Sequence, residues 1–474
     1  MAPLQQKIKV LECCQVSPPS GSVPSTILPL TFLDIPWLLF SPSQPLFFYD
    51  FPHTTSHFKQ TILSNFKTSL SFTLQYFFPL AGNLIIPPQP ALPHLSYTSG
   101  DSVSLTIAES TADFNQLSGY NQIRGVQDFH QLVPQMPKNC DLLGIDQESR
   151  YSLLAVQITI FPECGISIGF SLCHVAADER TFNNFLKVWA AIFRTGLELY
   201  LPALNKNLPY YDRSVIRDTN GLEPILWKQW WNQICLPKLL VDNFDMVRST
   251  FVMGRPDMEV IKGWIMSRSE KLFGSVQLLL SPYVITCSYI WVCWLKANMQ
   301  HIEDPIEKTE PHYFGFIAGG ITRLGYSVPV TYVGNCIAFG RAMARRNELL
   351  GENGIVFAAK AIGDTINELD RNVLGGVENW ISDWKVFCGS GLHITVTGSP
   401  KVDLYSLDFG LGGPRKIEEI SIDNTGSVSL CESREMVGGI EIGLALPLAK
   451  MEAFRVLYNE GLKIFPKTLP RDMG

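Results

Sequence analysis

Apolar positions along this chain follow two different periods, and the alternation between them sets the fold class. Between residues 57 and 78 they recur every fourth position, at Phe58, Ile62, Phe66, Leu70 and Leu74. That spacing marks one face of a helix, and Pro79 stops it. Residues 153–161 and 166–172 instead carry short apolar-rich strand patterns, the second with an apolar residue at every other position. They predict two buried strands joined by a hairpin-like break at Pro162-Glu163-Cys164-Gly165. The helical period returns after Asp178, with a stripe at Phe182, Phe185, Leu186, Trp189, Ile192 and Phe193. Residues 272–295 carry no charge over a length that spans a bilayer. However, Ser275, Gln277, Ser281, Pro282, Thr286 and Ser288 interrupt them, so the segment reads as a buried strand and a buried helix divided at Pro282. Further along, strands are predicted at 248–253, 392–397 and 440–446, and a helix at 256–267. Strand and helix patterns that alternate throughout make the class α/β.

The texture changes at residues 205–234, where Pro209, Gly221 and Pro224 accompany scattered charges and Trp227, Trp230 and Trp231. This stretch reads as a long ordered crossover whose aromatics dock on both sides. The 474 residues therefore divide into an N-terminal domain (1–204), a crossover (205–243) and a C-terminal domain (244–474), in keeping with a length prior of two or three domains.

Composition narrows the function classes. Apolar residues make up 46% and charged residues 17%, a less charged chain than is usual and one that folds. Lys and Arg number 38 against 44 Asp and Glu, a net charge of −6. A nucleic-acid binder needs a basic surface, so that class is disfavoured. The eleven cysteines are odd in number, form no Cys-x-x-Cys pair, and include Cys173, Cys287, Cys293 and Cys336 among apolar neighbours. They read as reduced thiols in a reducing compartment. The first twelve residues contain no signal-peptide core and the last six no recognisable address, so a cytoplasmic protein is expected.

The candidate chemistry centres on Ser171-Leu172-Cys173-His174-Val175-Ala176-Ala177-Asp178. Here a histidine stands where a buried strand gives way to a helix. A rigid strand end can present a group to a cleft, and apolar flanks keep an imidazole desolvated and neutral, as a general base must be. Asp178 is placed to cap the following helix. The motif alone fits a satisfied core histidine beside a capping aspartate equally well. A second segment adds Gly398-Ser399-Pro400-Lys401, Tyr405 and Asp408-Phe409-Gly410-Leu411-Gly412-Gly413-Pro414. This is a tight loop where backbone can approach a ligand, or an ordinary turn. His53 and His57 form a His-x-x-x-His pair, but no Glu lies between them to act as a base, so no metal site is expected.

Taken together, these segments resemble the plant BAHD acyl-CoA-dependent acyltransferases. His174-x-x-x-Asp178 matches that family's catalytic motif, and Asp408-Phe409-Gly410-Leu411-Gly412 its Asp-Phe-Gly-Trp-Gly motif. Tyr332-Val333-Gly334-Asn335-Cys336 is similar to the Tyr-Phe-Gly-Asn-Cys box of the branch that acylates anthocyanin and other phenolic glycosides. Segments 46–52 and 79–82 are similar to that branch as well.

The resemblance implies two similarly sized domains like chloramphenicol acetyltransferase, with a solvent channel between them, entered by acyl-CoA from one face and by the acceptor from the other. It implies that His174 is the general base in a ternary complex and that Asp178 orients and pairs with an arginine. The loop at Asp408, Gly410 and Gly412 would be structural. Ser399 and Lys401, and more remotely Lys262, are the residues it suggests for CoA. No permanent cofactor, metal, nucleic acid or membrane is implied, and a monomer is expected. Malonyl-CoA stands slightly ahead of hydroxycinnamoyl-CoA as donor, with Arg180 the residue for the malonyl carboxylate.

Three positions depart from the pattern. The arginine expected to meet Asp178 is Ile321, leaving Arg323 in Gly319-Gly320-Ile321-Thr322-Arg323; Leu411 replaces a Trp and Val333 a Phe. Asp178 must then pair with Arg323 or Arg180, be solvated, or be protonated. Glu179 stands where relatives usually carry Gly, and would oppose an anionic donor if it faced inward. These departures leave a second reading open, a repurposed member of the family that binds ligand without transferring an acyl group.

Overall fold

The computed structural model describes residues 8–88, 91–136, 148–234, 245–299, 310–389 and 393–465. The two termini and the 243/244 boundary lie outside the described residues. Strands Leu154–Phe161 and Gly165–Leu172 are buried at every position, so their apolar residues pack on both faces and the small or polar residues between them, Gln157, Thr159, Ser167 and Ser171, are buried as well. They pair antiparallel through the predicted hairpin, with Glu163 at φ 61° in the turn. Together with Ile8–Val16, Val103–Ser110 and Pro45–Asp50 they build most of a six-stranded sheet.

The helical face at 57–78 proves to be two helices, Thr55–Thr61 and Leu63–Tyr76, that break at Ile62. Phe58, Phe66, Leu70 and Leu74 are buried against the sheet side as the spacing required. Helix Glu179–Thr195 packs beside them through Phe182, Phe185, Leu186, Trp189 and Ile192. The second half forms a seven-stranded sheet that includes Met246–Met253, His393–Thr397 and Ile440–Pro447. It has its own core, in which helices Pro282–Met299 and Gly354–Arg371 pack together.

The two sheets do not divide at one point of the chain. Strand Lys416–Glu419, from the second half, adds to the edge of the first sheet against Pro45–Asp50. Arg124–Gly125, from the first half, adds to the second sheet against Met246–Met253. This exchange locks the halves together, and neither strand is distinguishable by its own sequence pattern.

Two expectations need correction. Residues 274–281 form no strand: helix Arg255–Phe273 runs on past 267 to Gly274, and Leu278, Leu279 and Leu280 then lie half-buried against the second core without a strand partner. Pro282 does open a helix, Pro282–Met299, and no helix among the described residues is long and apolar enough to cross a membrane. The crossover is more regular than a loop. Helix Leu222–Ile234 occupies its described part, opened by Asp218, whose carboxylate accepts the backbone N–H groups of Leu222 and Glu223. Trp227 and Trp230 stack at 4.8 Å and are buried. The helix contacts the turn Ile35–Leu39 on one side, and on the other Gln229 donates to the Glu378 carbonyl.

Candidate active site

His174 begins a single 3-10 turn, His174–Ala176, directly after strand Gly165–Leu172. The turn is held from below. Asn335 Nδ2 donates to the His174 carbonyl at 3.0 Å and the Val175 carbonyl at 3.2 Å. The same amide and its own backbone N–H donate to Asp34 Oδ1, both at 3.0 Å. Asp34 is wholly buried, and also accepts from the backbone and hydroxyl of Thr31 and pairs with Arg213 at 3.5 Å. Gly334 makes this clasp possible: at φ 141° it is in a region L residues rarely adopt, and a Cβ there would sit 2.1 Å from Arg213 Nη1.

The imidazole stacks on Trp37, ring centroids 4.0 Å apart and 13° from parallel. Its Nδ1 is buried without a hydrogen-bond partner, so Nε2 is the nitrogen available to the cavity. Burial holds the imidazole below its ordinary range, against smaller opposing effects from its own carbonyl, Asp178, Asn335 and Asp34. The ring is therefore neutral at neutral pH and able to accept a proton.

Asp178 does not bond the imidazole. It caps helix Glu179–Thr195 by accepting from Thr181 N at 2.8 Å, and its other oxygen accepts from Cys336 N at 3.1 Å. The cation it meets is Arg180, at 3.4 Å; Arg323 is engaged elsewhere, with Asp370 at 2.6 Å. That resolves the alternatives left by Ile321. Arg180, the residue expected at an acyl carboxylate, lines the cavity but is engaged by the protein itself. Arg180 Nη1 donates to the Val330 carbonyl at 2.8 Å and Nη2 to the Tyr332 carbonyl at 2.7 Å. The guanidinium thus ties the 330–336 segment to the turn that carries the histidine.

A cavity of about 410 Å³ opens at His174, and both halves of the chain wall it. Phe47, Leu172, Phe182 and Leu186 come from the first half, and Ile317, Ile321, Val402 and Leu404 from the second. Ser399 and Lys401 line it, with Lys401 exposed. Lys262 does not. It sits on helix Arg255–Phe273, whose Met258, Ile261 and Ile265 face the second core. Asp408, Gly410 and Gly412 are also absent from the lining. Asp408 closes its own loop by accepting from the backbone of Leu411 at 3.0 Å and Gly412 at 2.9 Å. Gly410 and Gly412 take φ 76° and 82° in that loop. Phe409 anchors it among Tyr49, Phe66, Trp189 and Phe193, and Leu411 rests half-buried on the same core.

Glu179, the first residue of the helix, faces the cavity. Burial, aided by Glu419, Asp178 and Glu432, pushes its carboxyl up to about 8. A second cavity of about 500 Å³ is lined by Phe339, Trp380 and Trp384 with Arg341, Glu368 and Asp383. Stacked rings connect it to His174: Trp37 lies 4.9 Å from Phe339, which lies 5.3 Å from both Trp380 and Trp384.

Sequence reasoning missed Asp34, Trp37 and the grip of Asn335. Asp34-Ile35-Pro36-Trp37 did carry a signal, an acidic residue before a proline-started turn, but nothing local says that this turn meets residue 174.

A family model described as the Transferase family matches residues 8–459. The chain is 36% identical over 471 residues to coumaroyl-CoA:anthocyanidin 3-O-glucoside-6''-O-coumaroyltransferase 1 of Arabidopsis thaliana, covering 97% of this chain and 98% of that one. It is 37% identical over 474 residues to malonyl-coenzyme A:anthocyanin 3-O-glucoside-6''-O-malonyltransferase of Dahlia pinnata, covering 96% and 98%. Among solved structures, vinorine synthase superposes with a TM-score of 0.66 at 18% identity, over 94% of this chain and 96% of that one. The fold is accordingly the two-domain, chloramphenicol-acetyltransferase-like one, with its cavity between the domains, and the chain belongs to the Transferase (BAHD) family of acyl-CoA-dependent acyltransferases.

Proposed function

We propose that this enzyme transfers an acyl group from acyl-CoA to a hydroxyl, on the sugar, of a flavonoid, anthocyanin or other phenolic glycoside, with His174 as general base. The observation that carries the reading is one desolvated imidazole opening on a cavity that both halves of the chain wall. His174 Nε2 takes the proton of the acceptor hydroxyl as its oxygen attacks the thioester carbonyl carbon. A C–O bond forms and the carbonyl electron pair moves onto oxygen. Collapse of the tetrahedral species breaks the C–S bond, and the CoA thiolate recovers the proton from His174. The products are an ester and free CoA, with no acyl-enzyme and no change of oxidation state. Asp178, Arg180 and Asn335 position the turn and touch no reacting atom.

Ser399 and Lys401 mark the side from which CoA enters, where Lys401 is free to meet a phosphate. The acceptor's side is the ring array from Trp37 to Trp384, because a flat phenol stacks on aromatic faces while a sugar needs a polar rim such as Arg341, Glu368 and Asp383. Relatives named for malonyl and for coumaroyl transfer support either acyl class for the donor. The domain boundaries that suit this reading are 1–204 and 244–474 around the crossover, in a cytoplasmic monomer without a permanent cofactor. The test is release of free CoA thiol when the protein meets acyl-CoA and a phenolic glucoside. Release that requires both substrates is expected. Glucoside binding without thiol release from any donor would favour the repurposed-binder reading.

A further inference from the structure

Glu179 shares the cavity wall with His174, Ser399 and Lys401, and is close enough to Ser399 to accept its backbone N–H. An acyl chain that enters with CoA beside Ser399 and Lys401 and reaches His174 shares the cavity with this carboxyl. The charged groups facing it are Glu419, Glu432 and Asp178, with His174, Arg180 and Lys401 elsewhere on the wall. A dicarboxylic acyl group would bring one more carboxylate among these. It would need a cation, and among the described lining residues two of the three are engaged. Arg180 bonds two carbonyls and Asp178. Arg323 bonds Asp370 and the Gly319 carbonyl. Lys401 remains, at the exposed rim. The wall around Phe47, Phe182 and Leu186 is by contrast apolar, and suits a planar aromatic chain.

We infer that Glu179 selects the acyl donor, excluding dicarboxylic acyl thioesters such as malonyl-CoA and admitting neutral aromatic ones such as a hydroxycinnamoyl-CoA. The inference rests on the acyl-transfer reading above. Once Glu179 is ionised, like-charge repulsion in a partly desolvated cavity corresponds to about tenfold or more in relative rate. Ionisation of Glu179 strengthens the exclusion, so malonyl transfer falls relative to coumaroyl transfer as pH rises through about 8.

The experiment measures kcat/KM for malonyl-CoA and p-coumaroyl-CoA with one phenolic glucoside, between mildly acidic and mildly alkaline pH, in the full chain and in Glu179→Gln and Glu179→Gly. At mildly alkaline pH the unaltered enzyme is expected to favour coumaroyl-CoA by about tenfold or more. At that pH both variants are expected to raise the malonyl-to-coumaroyl ratio by about tenfold, and to flatten its pH trend. An unaltered enzyme that prefers malonyl-CoA at mildly alkaline pH, or a ratio unmoved there in both variants, overturns the inference. If the variants do not fold, the preference and pH trend of the unaltered enzyme still decide it. An enzyme that releases thiol from neither donor defeats the acyl-transfer reading instead.

Discussion

At His174 a buried ring nitrogen stands without a partner beside the cavity; at Glu418, on the same cavity's wall, buried charges of opposite sign meet. The histidine has an unpartnered Nδ1, a stacked ring on one face and empty space in front. Glu418 receives Arg124 at 2.8 Å on one oxygen and Arg248 at 3.1 Å on the other. Arg248 also meets Asp423, which accepts His130 at 2.9 Å, and Lys416 meets Glu441 at 2.8 Å. Three cations thus face three carboxylates where the exchanged strands Arg124–Gly125 and Lys416–Glu419 cross between the sheets. Burial alone would raise the Glu418 carboxyl, but Arg124, Lys416 and Arg248 hold it down to about 2. The lesson is that burial of charge has two opposite uses here. Opposite charges brought together specify how the halves dock, while an unpaired group beside a void is left free to react.

Substitution in each region separates the two. His174→Ala is expected to lower turnover by about 10²–10⁴-fold, the usual loss of a general base, with the unfolding midpoint unchanged. Arg248→Met removes the cation shared by Glu418 and Asp423, leaving them Arg124 and His130, and is expected to destabilise the fold by about 3 kcal/mol. Turnover assays and urea denaturation on both variants check this. If the two effects were exchanged between the variants, the comparison would collapse.

Arg180→Leu comes next. Because its bonds position the 330–336 segment, transfer from malonyl, acetyl and coumaroyl donors is expected to fall alike, by about tenfold. A loss confined to malonyl-CoA would restore the carboxylate role.

The pH dependence is a finer probe. A base held below the ordinary imidazole value of 6.5 is unprotonated over most of the working range. The coumaroyl rate is therefore expected to rise with pH along a limb centred below 6.5, and a limb centred above that value would contradict the desolvated ring.

The smallest effect is on stability. Glu418, depressed in the fold, contributes stability present above the ordinary 4.5 and lost as pH falls toward 2. Glu179, raised in the fold, contributes stability present below 4.5 and lost as pH rises through about 8. Glu418→Gln should alter only the acid limb of the stability profile and Glu179→Gln only the alkaline limb, each read from thermal unfolding across pH.

The segments legible in advance were those whose cause is local. The hairpin at 162–165, the stripe on helix Glu179–Thr195 and the Asp178 cap depend on residues within a few positions of one another, and period and capping chemistry encode them directly. The extended run at 274–281 was misread because three leucines in a row look like a strand until the sheet is seen to have no place for them. His174 and Asp178 were recognisable as a motif that resemblance reads as a base and its orienting aspartate, but the clasp of Asp34 and Asn335 that holds their turn was not.

By itself the sequence determined the α/β alternation, the histidine at a strand end and the tight glycine loop that Phe409 anchors. Only the tertiary structure decided which arginine answers Asp178, that Asp34 and Asn335 clamp the turn across some 140–300 residues of chain, and that each sheet borrows a strand from the other half. The physical reason is that local conformation follows from neighbours in the chain. The field and cavity around His174 come instead from side chains brought together by long-range packing, and no spacing along the sequence records that distance.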